Sequence, residues 1–371
     1  MLRCQRRILI GLVHQAQSTR FGRDHDFRRI RTAADFRRLV PLRSLSDFCR
    51  EYWQVSGCST ANATWPGPVL WHAPSTCVAN GAMHNVPVTH ALLAAHRSAA
   101  MAALALVCRA RPRARLFSGR VALLASDDGS SWGNSAATCS IESIACRQLP
   151  SILKPYALAL SPKAFGRAGS RDRRLVPGIT CLLGSARQLA DLFTNSQEQS
   201  SGGQMPWPGL TAAIYTCDVS SRDRRRLHDT VADRRDFLLL EACYRPEGAI
   251  AIEDPHRGSL RLLADHGVFF EFIPRTELGR REPTRHSLGE IEPGEAYAVA
   301  ISSPAGAWAC LGGEQVVFES RDPPLLRRLT QVAFTPPPAF AAPPFAVQPP
   351  HYLRDLASKS KRAALHQPAP K

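Results

Sequence analysis

Residues 267–274 read Gly267-Val268-Phe269-Phe270-Glu271-Phe272-Ile273-Pro274. Five apolar residues in six positions, closed by a glycine and a proline, have the length and the flanking breakers of a strand. Glu271 interrupts the run, and period-two alternation sets it on the face opposite Phe270 and Phe272. The expectation is a strand residue facing polar surroundings, with a role in a site as the alternative. Similar short runs stand at 121–125, 212–216, 237–242, 249–252, 260–263 and 296–301, and helical patterns at 186–193 and 222–232 separate several of them. Alternation of this kind predicts an α/β fold with mixed sheets flanked by helices. From Gly248 onward the runs crowd together with Gly and Pro between them, which reads as antiparallel strands.

Toward the N-terminus, residues 5–18 read as an amphipathic helix, 18–23 as a turn, and 33–38 as a second helix ended by Pro41. Residues 56–88 hold Pro66, Pro68, Pro74 and Pro87 among Ser, Thr, Asn and Gly, and read mostly as loop. Thr89 is a natural N-cap for an Ala- and Leu-rich helix running to about Arg109 and stopped by Pro112. Residues 336–371 contain nine prolines and a basic end with Lys359, Lys361 and Arg362. Such a stretch supplies few ladder donors, so the expected organisation is a large domain over 1–330 and a Pro-rich basic tail over 331–371.

The chain has 371 residues, 44% of them hydrophobic and 21% charged, enough to bury a sizeable core. Its net charge is +16, carried almost wholly by Arg because five residues are Lys. Residues 1–50 hold twelve Arg against four Asp. This is read as a solvated helical face, since no aromatic residues alternate with the arginines as a base-stacking platform requires; nucleic acid is not the expected partner. The eleven cysteines are odd in number and hold no C-x-x-C pair, which argues against a disulfide framework or a zinc site and for a reducing compartment. The apolar stretch 8–13 is too short for a secretory core or a membrane span, so a cytoplasmic location is expected. His84, His90 and His96 share no i, i+4 face for a metal. Asp254-Pro255-His256 and Asp265-His266 lack any G-x-S-x-G elbow, which sets hydrolase chemistry aside. Cys77 and Cys243 are read as small buried hydrophobes.

Three segments in order carry more specific information. The first is Thr76-Cys77-Val78-Ala79-Asn80-Gly81, with Pro87-Val88-Thr89 and its helix behind it. The second is Trp207-Pro208-Gly209-Leu210, followed by Tyr244-Arg245-Pro246-Glu247-Gly248 and Ile252-Glu253-Asp254-Pro255. The third is the 267–274 run with Pro293-Gly294-Glu295-Ala296-Tyr297, Gly306-Ala307-Trp308 and Gly313-Glu314. Together with Thr19-Arg20-Phe21-Gly22-Arg23 and Val40-Pro41-Leu42-Arg43, they resemble the auxin-responsive-promoter (Gretchen Hagen three) family of acyl-acid amido synthetases in its bacterial form. The resemblance covers about 5–330. It implies the adenylate-forming (firefly-luciferase-like) large domain, with the small C-terminal lid domain missing after Leu326.

The resemblance also implies ATP and Mg²⁺, a small carboxylic acid activated as its acyl-adenylate, and an amino acid amine as acceptor. Backbone amides and cations then have to offset the charge developed as pyrophosphate leaves. In the implied phosphate loop stand Thr76, Asn80, Gly81 and His84, where the family often has a basic residue; Val78 replaces a glycine. Glu247, with Gly248, is implied to hold Mg²⁺ and nucleotide and, with His84, to serve catalysis. Tyr244 lies near the adenine-stacking aromatic, at whose aligned position Cys243 stands. Gly313-Glu314 replaces a Gly-Asp pair whose Asp takes the ribose hydroxyls. The alternative is a catalytically degraded or truncated relative that at most binds nucleotide or a partner.

Overall fold

The computed structural model describes residues 1–54, 60–76, 83–125, 137–160, 178–198, 207–216, 221–234 and 236–329. The chain divides into units 1–335 and 336–371, and the second, with the expected tail, lies outside the described residues. The helices are α1 Leu2–Ala16, α2 Arg20–Asp24, α3 Ala33–Leu39, α4 Leu45–Phe48, α5 His90–Ala110, α6 Ile141–Arg147, α7 Ala186–Glu198 and α8 Ser221–Val231. The strands are β1 Arg43–Ser44, β2 Trp71–Thr76, β3 Met83–Val88, β4 Arg120–Leu124, β5 Ala137–Thr138, β6 Ala157–Leu160, β7 Ile179–Ser185, β8 Ala212–Thr216, β9 Leu238–Arg245, β10 Gly248–Asp254, β11 Ser259–Leu262, β12 Phe269–Pro274, β13 Ala296–Ser302, β14 Cys310–Arg321 and β15 Pro324–Arg328.

Twelve of these strands form one sheet, eleven of them in the order β12-β13-β14-β15-β11-β10-β9-β8-β7-β4-β6 and β1 pairing β14 off that path. Strands β6, β4, β7, β8 and β9 run parallel, and every pairing from β9–β10 to β12–β13 is antiparallel. The sheet therefore changes character at the β9–β10 hairpin, where the expected crowding of runs begins. The parallel half is covered on both faces, as crossover helices require. On one face Leu189, Ala190 and Phe193 of α7 and Leu227 and Val231 of α8 join the core; on the other stand Ala99, Ala103, Leu104 and Val107 of α5. Thr89 caps α5, its Oγ1 accepting from the Leu92 amide at 3.0 Å. By length and composition α5 could cross a membrane, and its Leu92, Leu93, Ala99, Ala103, Leu104 and Val107 are buried inside this domain.

Helix α1 buries Gln5, Leu9, Leu12, Val13 and Ala16 along one stripe and exposes Arg3, Arg6 and Arg7, the solvated basic face expected. The Gln5 side chain donates to Ala264 O and Val268 O and accepts from Phe270 N, fastening α1 to β12. Helix α3 starts on a capping box between Thr32 and Asp35.

Three expectations are corrected. Residues 18–23 enter a short helix, α2, because Thr19 Oγ1 caps Gly22 N. Within 56–88, read mostly as loop, β2 and β3 form an antiparallel hairpin whose prolines are accommodated by register. Pro74 faces Asn85 and Pro87 faces His72, two pairs of one parity, so the pairs between them are left to carry the ladder's donors. Glu271 does not face polar surface. It is 1% exposed, and Arg285 binds both of its oxygens while Arg37 Nε lies at 3.4 Å.

Candidate active site

The β9–β10 connection is a two-residue turn, Arg245 pairing Gly248 with Pro246 and Glu247 at the corners. Three groups fix it: His96 Nε2 on α5 lies 3.2 Å from Pro246 O, Ser303 Oγ donates to Glu247 O, and Gly248 packs where a Cβ would meet Val268 at 3.1 Å. Because Pro246 O can only accept, Nε2 of His96 carries the hydrogen; burial lowers this imidazole's pKa, so the ring is neutral at pH 7.

The turn delivers Glu247 into the protein with no exposed surface. Its Oε1 accepts from Arg245 Nε at 2.9 Å and its Oε2 from Ser75 Oγ at 2.8 Å. Arg245 Nη2 also reaches Ser75 Oγ at 3.2 Å, and Nη1 lies 3.4 Å from Glu314 Oε1. Glu314 is brought there by an irregularity in β14: Ala298 pairs Gln315 and Ala300 pairs Leu311, so Gly312–Gly313–Glu314 stand opposite Val299 alone. Gly313 has φ +94°, open to glycine but strained for other residues, and a Cβ on Gly312 would come within 3.4 Å of Glu247 Oε1. On its other side Glu314 Oε2 meets Arg328 Nε and Nη2 at 3.3 and 3.2 Å, and Arg328 Nη1 continues to Glu241 at 3.1 Å. Glu241 is paired in turn with Arg224 at 3.1 Å. Carboxylates and guanidinium groups thus alternate through a chain that is buried up to half-exposed Arg224, each charge offset by a neighbour. Burial opposes the Arg245 cation, and Glu247 and Glu314 outweigh it, so its pKa is raised and it stays charged.

This chain ends on a cavity of about 950 Å³. Ser75, Arg245, Pro246 and Glu314 line its polar end, while Ala100, Met101 and Leu104 of α5 and Ile141 and Ala145 of α6 contribute apolar wall. Met83, Met101, Phe117, Leu153 and Tyr156 line it too and are exposed, which makes its mouth apolar.

Of the residues singled out in the sequence, Glu247, Gly248, Gly313 and Glu314 are brought together. Thr76 is the last residue of β2, directly after Ser75, and pairs Met83; Asn80 and Gly81 lie outside the described residues, within the connection from Thr76 to Met83. His84 pairs Ser75 across the hairpin, but its Nε2 lies 3.0 Å from Ser46 Oγ on α4, while the oxygens of Glu247 are taken by Arg245 and Ser75. Tyr244 is on the face of β9 beside α5, Cys243 alternates onto the face of Arg245 and Glu314, and both line the cavity. Burial and nearby Glu314 push the Cys243 thiol up, which makes it inert. The residues sequence reasoning passed over are Ser75, Arg245 and Arg328. Arg245 stood inside a quoted motif, and a charged residue two positions before a buried Glu in a hairpin was the available signal.

Mg²⁺, which the family resemblance implies, does not fit Glu247 in this arrangement: both carboxylate oxygens are already bonded, and among the described residues no three His, Cys, Asp or Glu side chains group as a metal set.

The mixed sheet flanked by helices, with its cleft at the parallel-to-antiparallel junction, is a fold shared with acyl acid amido synthetases of known structure. Among solved structures the chain is similar to the GH3.15 acyl acid amido synthetase, with a TM-score of 0.64 and 11% identity over 90% of this chain and 69% of that one. It is similar also to the AtGH3.15 acyl acid amido synthetase in complex with 2,4-DB, with a TM-score of 0.62 and 11% identity over 89% and 68%. Residues 1–149 match the GH3 family N-terminal domain, the family the sequence resembles. No curated protein matches the chain.

Proposed function

We propose that the protein is an ATP-dependent acyl-acid amido synthetase that activates a small apolar carboxylic acid and transfers its acyl group to an amino acid amine. A carboxylate oxygen of the acid attacks the α-phosphorus of ATP and pyrophosphate leaves; the amine nitrogen then attacks the acyl carbon, AMP leaves with the bonding pair, and the amine gives up a proton. One observation carries this reading: Glu247 and Glu314, some seventy positions apart in sequence, meet through Arg245 at the polar end of a cavity whose walls are apolar. Arg245 brings positive charge to where anionic oxygens would gather, Glu314 offers acceptors for ribose hydroxyls, and the α5–α6 wall suits an apolar acyl chain. The family match over 1–149 and the shared fold support the same chemistry.

The test is pyrophosphate exchange into ATP with a panel of aryl and alkyl carboxylic acids. At least one acid is expected to drive exchange tenfold or more above the no-acid rate, and Glu247→Ala to abolish it; exchange no higher than in the Glu247→Ala protein for every acid would defeat the proposal. A second reading, a relative that binds nucleotide without turnover, is favoured by the neutralisation of Glu247 and Glu314 by Arg245 and Arg328. It predicts retained binding of a fluorescent ATP analogue with no exchange, and amide product at ordinary turnover would exclude it.

A further inference from the structure

We infer that Arg245 is the resident cation of this cleft, in the place a divalent metal would take, and that the cleft binds nucleoside triphosphate without Mg²⁺. The inference rests on the nucleotide reading above for the identity of the anion, and on geometry for the cation. Glu247 has both oxygens committed, one to Arg245 Nε and one to Ser75 Oγ, inside a pocket that leaves it no exposed surface. A metal ligated by Glu247 would have to displace a guanidinium that simultaneously holds Ser75 and Glu314. Both competitors offer positive charge to the same carboxylate, and the tethered one needs no recruitment from solution. Magnesium, which demands octahedral geometry and keeps much of its water, is poorly served by a single enclosed carboxylate. Arg245 lies at the cavity wall with its planar fork held by Glu247, Ser75 and Glu314, so a cation is already in place where an anionic oxygen of the nucleotide would come. The β14 irregularity at 312–314 is what carries Glu314 to the far side of that fork, so the clamp is built by the fold from both halves of the sheet.

The experiment titrates the full chain with the fluorescent analogue TNP-ATP in excess EDTA and again in millimolar Mg²⁺. Dissociation constants within about twofold of each other are expected for the wild type, whereas binding more than tenfold weaker in EDTA would overturn the inference. Arg245→Lys keeps the charge without the fork, and Arg245→Ser removes both; the first is expected to weaken EDTA binding several-fold and the second at least tenfold, with Mg²⁺ restoring part of the loss in Arg245→Ser. Should a variant fail to fold, the wild-type comparison stands alone. If the wild type binds no TNP-ATP under either condition, it is the nucleotide reading that fails. The cation is then read directly by Mn²⁺ paramagnetic resonance: no bound ion upholds Arg245 as the occupant, and one equivalent bound in the wild type but lost in Glu247→Gln contradicts it.

Discussion

His25 lies flat on Phe21, ring centroids 3.9 Å apart, with Nδ1 3.0 Å from Phe21 O and Nε2 3.4 Å from Arg43 Nη2. Burial, opposed by the bond to Phe21 O and reinforced by the Arg43 charge, lowers its pKa from 6.5 to about 4. Between those values the unfolded chain binds a proton that the folded chain refuses. The contribution is therefore complete above pH 6.5 and lost as pH falls toward 4, about 3 kcal/mol in all. Chemical denaturation at pH 7 and pH 4.5 should show this acid-side loss, and His25→Phe should flatten it; an unchanged slope would mean the imidazole titrates normally when folded. Gly306 makes the same point about shape. Its φ is +78° and a Cβ there would stand 2.1 Å from Thr64 Oγ1, while Gly258, at φ +65°, has nothing near its missing Cβ. Gly306→Ala should cost about 3 kcal/mol and Gly258→Ala about 1 kcal/mol in paired melts, since the first adds overpacking to backbone strain.

Among the elements, β12 shows what its own sequence could and could not disclose. Its apolar run and breakers make the strand legible, but the partner of Glu271 is not, because Arg285 lies fourteen residues on and reaches back through a loop that pairs Phe272 with His286. Arg285, 9% exposed, also donates to Val40 O and Arg37 O, so this pair ties β12 to the end of α3. Glu271→Ala should cost about 3–5 kcal/mol by leaving a buried guanidinium uncompensated. Asp191→Ala, breaking a pair with Arg226 in which both side chains are about half exposed, should change stability by less than about 1 kcal/mol. Equal effects would show that burial is not what separates them. The β2–β3 hairpin was hidden for a different reason: Pro74 and Pro87 are strong local breakers, and only the register reveals that both sit where no ladder donor is needed. Ser75 was hidden with it.

Across the molecule, the aromatic group at the N-terminus explains why distant segments travel together in the sequence. Phe27 meets Trp308 edge-on at 4.8 Å, Phe21 stacks on the same indole at 6.1 Å, and Trp308 Nε1 donates to Thr64 O at 3.1 Å. The opening stretch and Gly306-Ala307-Trp308 are two sides of one contact. Strands β4, β8 and β9 and α5 with its cap could be read from periodicity and the Glu247–Glu314 pair from resemblance, whereas β6 and β7 are not among the expected runs. Arg328 could not be read, and Arg245 only as one residue of a quoted motif, since their joint significance arises when a local irregularity in β14 swings Glu314 between them. Charge complementarity of that kind is a property of the folded sheet and leaves no periodic trace in the chain.

The central claim is that the cleft between the β9–β10 turn and residues 312–314 seats the adenylate moiety. Photolabelling with 2-azido-ATP followed by peptide mapping tests it most directly. The account predicts label within peptides spanning 238–254 and 310–321, protected by excess ATP and lost in Glu314→Ala. Label concentrated in the arginine-rich residues 1–50, with neither of those peptides modified, would contradict it.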